Sequence, residues 1–416
     1  MTRDVVVIGA GAAGIAAARR LAELGLSFAL LEARGRVGGR AASDNETFGA
    51  PFDLGCHWLH SPAHNPLKAE ADALGIRYLG HGQEGRYARD GRLLDAGEQA
   101  VCDAYLSACL ERVAAAGREG RDCAVSALFD GADGRHPIFE AEFTAKQGVP
   151  PEQGSTLDFA RYLWVGEDLP VIGGLGNLVA RLAEGLPVSL DTPVSRVRQG
   201  GAGALGVETA RGTLEARSVI VTVSTGVLRS DAIRFEPGLP DWKRAALEGL
   251  PMGSCNKVAL GFRRRPDLPA DCEVMPLRGA AEPVELVLRP GGRDLAVAMV
   301  SGPFGKALAE AGAAAMADYA LDRLVELFGS GLREAVGPAR AVAAWDLDPW
   351  VRGYVSAALP GRADARLDLA RPVDDRLFFA GEATSLQFMG DVHGAWLSGI
   401  EAAEAAARAL GVVTAR

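Results

Sequence analysis

The stretch "DVVVIGAGAAGIAAARRLAELG", residues 4–25, constrains this chain more than any other. Residues 4–8 form a short apolar run, suited to a strand buried on both faces of a parallel sheet. Gly9, Gly11 and Gly14 follow in G-x-G-x-x-G spacing and open a run of helix formers. A second apolar run, "SFALLE", ends in Glu32. Strand, glycine turn, helix and a strand closing on an acid make the context of a dinucleotide-binding fingerprint. Gly9 permits the tight turn, Gly11 lets the backbone approach a pyrophosphate, and Gly14 lets helix and strand pack closely. The helix N-terminus offers N–H groups to phosphate oxygens. Glu32, with Ala33 and Arg34 beside it, is placed to bind ribose hydroxyls and disfavours a phosphorylated ribose. The fingerprint alone leaves NAD and FAD both open.

The next segment separates them. "EARGRVGGRAAS" carries Gly38, Gly39 and Arg40, with Arg36 just before. A second glycine pair flanked by arginines gives another backbone approach and fixed positive charge near the same phosphates. This segment resembles the "R-x-G-G-R" of the flavin amine oxidase family. The resemblance runs almost end to end, strongest at 4–66, 171–262 and 342–410. It implies an α/β fold: a Rossmann-like FAD-binding domain and a second, α+β substrate domain with a mixed sheet plus helices. At 416 residues, two domains are expected on length as well. The expected boundaries are 1–79, 171–255 and 366–416 for the FAD-binding domain, and 80–170 with 256–365 for the substrate domain.

The resemblance assigns further cofactor contacts. "LFFAGE" reads as a buried strand with Gly381 and Glu382 at its C-terminal end, where open α/β sheets bind ligands. Asp391 and Val392 then open a helix directed at the flavin ring. Val194 supplies a backbone contact to adenine, and Trp350 belongs to "WDLDPWVRGYVSAALPG", which lines the flavin in relatives. Family members with covalently held flavin carry a cysteine where Tyr354 stands, so FAD is expected to bind non-covalently.

"DLGCHWLHSPAHNPL", residues 53–67, holds His57, His60 and His64 close together. By spacing alone it suits a metal or a loop against an organic ring. By resemblance to polyamine and spermine oxidases it is the latter: Gly55, Cys56, His57 and Trp58 pass beside the flavin, and His60 is the active-site histidine. No metal is expected. Lys257, in "MGSCNKVALGF", takes the family's lysine position, where it would support negative charge on the reduced ring. The aromatic cage is altered. Its first wall aligns with Val355, while Tyr354 sits one place earlier and, on a regular strand, would point away from the cavity. Its second wall aligns with Phe388.

Composition sets the remaining limits. Apolar and charged fractions of 48% and 23% are those of an ordinary globular protein. A net charge of −9 argues against nucleic acid and suits cationic substrates. Six cysteines without a CxxC pair read as reduced thiols of a cytoplasmic protein. Neither a signal peptide nor a membrane segment is expected. Residues 200–206, rich in glycine, read as a hairpin turn and 131–137 as a surface loop.

The leading expectation is therefore an FAD-dependent amine oxidase. Hydride would pass from the amine α-carbon to flavin N5, the imine would hydrolyse to aldehyde plus amine, and oxygen would be reduced to hydrogen peroxide. The alternatives are a flavin desaturase or isomerase of the carotenoid or protoporphyrinogen type, and a non-catalytic FAD-bound interaction protein.

Overall fold

A computed structural model describes residues 2–130, 133–200, 203–278 and 281–412. Residues 131–132 of the expected surface loop, 201–202 of the expected hairpin turn and the last four residues lie outside that description.

An eight-stranded sheet carries the glycine turn. Strand β1, Arg3–Ile8, lies between Phe28–Leu31 and Gly212–Val221, parallel to both. Val5, Val6 and Val7 are fully buried, as an apolar run without alternation requires when both faces are covered. Leu377–Phe379 joins Gly212–Val221 in parallel, bringing the far end of the chain beside its start. One face is covered by helix α1, Ala12–Glu23, packed on helix Val392–Ala409. Both helices are rich in alanine, and a Cβ at Gly399 would lie 2.1 Å from the Ala13 carbonyl oxygen, so these axes can approach only where side chains are small. Val194–Gln199 and Leu205–Thr209 pair antiparallel across the glycine-rich patch.

A second sheet of seven strands is drawn from 84–93, 255–301 and 336–343. It is antiparallel apart from the pairing of Cys272–Pro276 with Glu84–Arg89. Its side chains alternate between faces. Val258, Val274, Leu286 and Val300 pack with helix Ala313–Phe328 in one apolar cluster. On the other face Lys257 lies opposite Met299, and Met299 opposite Glu285, a row across three strands that looks into the interior cavity.

No helix among the described residues is long and apolar enough to cross a membrane.

Candidate active site

A single cavity of about 970 Å³ runs from the glycine turn to the inner face of the second sheet. At one end it is built from backbone. Gly9 adopts φ +100°, and a Cβ on Gly14 would fall 1.8 Å from the Gly9 carbonyl oxygen, so only glycines let the turn and helix close up. Gly11 bridges to Gly38, whose N–H donates to the Ala10 carbonyl at 2.8 Å. Neither Gly11, the N-cap of α1, nor Asp391, the N-cap of helix Val392–Ala409, makes a side-chain capping bond. Two helix N-termini thus present unpaired N–H groups and positive dipole ends to the same cavity.

Arg40 adds the fixed charge. Its Nη1 donates to Glu382 at 3.1 Å and to the Tyr354 carbonyl at 2.5 Å. Glu382 also accepts from Ser356 Oγ at 2.7 Å and from the Gly390 N–H at 3.2 Å. Burial would raise its pKa, but Arg40 and Arg366 outweigh that and hold it below the ordinary carboxylate value. Behind it Arg366, fully buried, pairs with both oxygens of Asp158 at 2.6 and 2.8 Å and donates to Ser356. A cavity with a Cβ-free cradle, two uncapped helix starts and a held arginine fits the pyrophosphate-to-flavin part of FAD.

Several expected contacts do not line this cavity. Glu32 accepts from the N–H groups of Ala10 and Arg34 at 2.8 and 2.9 Å, so its carboxylate secures the loop. Arg34 pairs with Asp348, Val194 is paired with Thr209 within the sheet, and neither Gly14 nor Ala33 lines the cavity. Gly55, Cys56, Trp350, Gly381, Asp391 and Val392 do line it.

At the other end the loop at 53–60 is clamped by the second sheet. Lys257 Nζ donates to the carbonyls of Asp53 and Gly55 at 3.0 and 2.5 Å and meets His57 Nδ1 at 3.0 Å. Trp345 Nε1 holds the Leu54 carbonyl at 3.2 Å. The Asp53 side chain accepts from the N–H groups of Leu175 and Gly176, capping helix Leu175–Leu182 and fixing the loop from behind. Burial lowers the pKa of Lys257, which is 6% exposed. Burial first, and then the Lys257 charge, push His57 well below the usual histidine range, so it stands neutral as an acceptor.

The three histidines go to different neighbours. His64 is exposed, and His57 meets Lys257. His60 lies between two carboxylates, with Nδ1 2.9 Å from Asp168 and Nε2 3.8 Å from Asp391. Burial would lower its pKa; Asp391 and Asp168 outweigh that and raise it. Asp391 accepts from the Tyr162 hydroxyl at 2.9 Å, and burial raises its pKa to about 6.

The aromatic wall corrects two expectations. Segment 353–355 is not a regular strand: Gly353 has φ +140°, and only Ser356 bridges, to Met252. The two-residue alternation therefore does not apply, and Tyr354 and Val355 both line the cavity. Phe388 does not. It is buried with its ring 4.4 Å from that of His393, and Met389 lines the cavity in its place.

Residues 12–100 and 137–407 match the family described as flavin containing amine oxidoreductase. The chain belongs to that family. Polyamine oxidase 4 of Oryza sativa subsp. japonica is 30% identical over 443 residues, covering 96% of this chain and 88% of that protein. Among solved structures, a putrescine oxidase double mutant superposes with a TM-score of 0.81 at 22% identity, covering 98% of this chain and 99% of its own. Cyclohexylamine oxidase from Brevibacterium oxydans gives 0.80 at 22% identity, covering 99% and 100%. These two likenesses carry the fold. Family membership supports a flavin-dependent oxidoreductase acting on amines.

Sequence reasoning missed Tyr162, Asp168 and the carboxylates Glu142, Glu273 and Glu285, all of which line the cavity. Glu273 and Glu285 carried a signal: acids inside the apolar runs "CEVMP" and "VELVL" are out of place unless that face meets a polar space. Tyr162 and Asp168 lie in a loop without periodic pattern and gave none.

Proposed function

We propose that this protein is an FAD-dependent amine oxidase that converts a neutral amine, by loss of hydride from its α-carbon, into an imine that water hydrolyses to an aldehyde and an amine. FAD, held non-covalently, would supply the two-electron acceptor and pass the electrons to oxygen, giving hydrogen peroxide. The observation that carries the reading is the one cavity joining a dinucleotide cradle to a wall of titratable groups.

The chain's own residues fit the task. The glycine turn, the two helix starts and Arg40 would hold the cofactor's phosphates. Lys257, buried yet bonded to two carbonyls, places a cation beside the loop that meets the ring, where negative charge grows on reduction. A substrate ammonium has to lose one proton before its carbon can release hydride. His60, between Asp168 and Asp391, is placed to accept that proton. Trp58 and Tyr354 offer aromatic faces to the alkyl chain and its charge. An amine substrate is further supported by the relatives, which are polyamine, putrescine and cyclohexylamine oxidases. We also propose a cytoplasmic protein, for which the six unpaired cysteines are the support.

The test is anaerobic mixing of the yellow holoprotein with a panel of mono-, di- and polyamines, followed by air. Bleaching of the flavin band and stoichiometric peroxide on reoxidation are expected with at least one amine. A flavin that no amine reduces overturns the reading.

A further inference from the structure

Resting on the oxidase reading, we propose that Lys146 sets the choice between singly and doubly charged amines, acting as a tethered ammonium in the chamber that would receive a substrate's far end. The row Lys257–Met299–Glu285 crosses three strands, so Glu285 lies two strand spacings, about 10 Å, from Lys257. Glu273 continues the wall on the next strand, opposite Val287. Helix His136–Gln147 faces them with Glu142 and, one turn later, Lys146. Glu142 is pinned by the Tyr87 hydroxyl at 3.1 Å.

Lys146 has no carboxylate partner within ion-pair distance among the described residues. Its Nζ rests 3.7 Å from the ring centroid of Trp164, a loop residue 47% exposed that also lines the cavity. An alkylammonium on an indole face beside three acids is the arrangement the second charge of a diamine would seek. Here the chain supplies that charge itself. Its field reaches the whole chamber, opposing the upward shifts that burial gives Glu273 and Glu285 and the proton affinity of His60. A monoamine leaves this chamber to Lys146. A diamine brings a second ammonium that Lys146 repels and with which it competes for the same acids and ring.

The test compares kcat/KM for 1,4-diaminobutane and for butylamine, using FAD-loaded wild type, Lys146→Arg, Lys146→Gln and Lys146→Glu. The diamine-to-monoamine ratio should hold in the arginine variant, rise about tenfold in the glutamine variant and rise further with glutamate. The gain should shrink with added salt. If Lys146 only packs on Trp164, the ratio stays flat across the series and the inference falls. Each variant is scored against wild type separately, so misfolding of one leaves the others decisive. Turnover of both amines with a flat ratio removes this role alone; turnover of neither removes this inference, while the oxidase reading falls only if no amine of the wider panel reduces the flavin.

Discussion

Lys257 Nζ lies 3.0 Å from His57 Nδ1, so two basic groups meet at the sheet–loop junction, and burial lowers the proton affinity of both. The lysine donates to two carbonyls, and burial first, then the lysine's charge, push the histidine well below the usual range.

Replacing Lys257 with Met leaves two buried carbonyls and an imidazole nitrogen without a donor. Stability should fall by about 2–3 kcal/mol in urea unfolding of the holoprotein. FAD should remain bound, because the cradle lies at the opposite end of the cavity. Stopped-flow traces should show flavin reduction or reoxidation slowed by at least about tenfold. Unchanged rates in both half-reactions would remove Lys257 from the chemistry.

Gly14→Ala places a methyl group 1.8 Å from the Gly9 carbonyl oxygen, and only backbone movement relieves it. The displaced turn should weaken FAD binding by more than about tenfold, a loss of about 1.4 kcal/mol or more. Flavin fluorescence titration measures this directly. Gly80→Ala, where an added Cβ meets nothing within 4 Å, is the matched control and should bind as wild type does.

Asp391 ionises only near pH 6, because burial favours its protonated form over His60 and Tyr162, which favour the charged one. Below that pH His60 faces a neutral acid, and above it a carboxylate. The wild-type kcat/KM should therefore fall as pH drops through about 6, and Asp391→Asn should lack that limb. Folding stability gives the sign independently. The folded state holds more protons than the unfolded one between the ordinary 3.8 and about 6, so the stability Asp391 contributes is lost as pH rises through that window. The gap between wild type and Asp391→Asn should change across the same interval in pH-dependent urea melts.

Much of this site was legible in the sequence, and what was not has a physical reason. The cradle could be read because G-x-G-x-x-G between two apolar runs admits few backbones. The clustering of Gly9, Arg40, Glu382 and Val392 follows from motifs that each carry their own local geometry. Tyr354 was misread because period-two reasoning assumes a regular strand, and a single Gly353 at φ +140° removes that premise. Phe388 was placed by resemblance alone, which does not say how the irregular backbone at 387–390 turns each side chain; Met389 lines the cavity there. The second strand stops at Leu31, one residue before Glu32, whose side chain turns to backbone N–H groups. The Tyr162–Asp391–His60–Asp168 set joins three segments far apart in sequence, at 60, 162–168 and 391, and no spacing encodes it.

Arg366 and Asp158 form a buried pair that also carries Ser356 and, through it, Glu382. Arg366→Met should cost about 3–5 kcal/mol, since Asp158 is left charged and buried. Arg366→Met combined with Asp158→Leu should recover part of that loss in the same urea melts. Full additivity of the two single losses would show that the residues act separately.

The two uncapped helix starts have a consequence for biosynthesis. One follows the first strand, and the other opens helix Val392–Ala409, so the nest stays incomplete until that helix has left the ribosome. Cofactor capture is thereby deferred until helix Val392–Ala409 has been made. A nascent chain arrested before Val392 should emerge colourless however much flavin surrounds it.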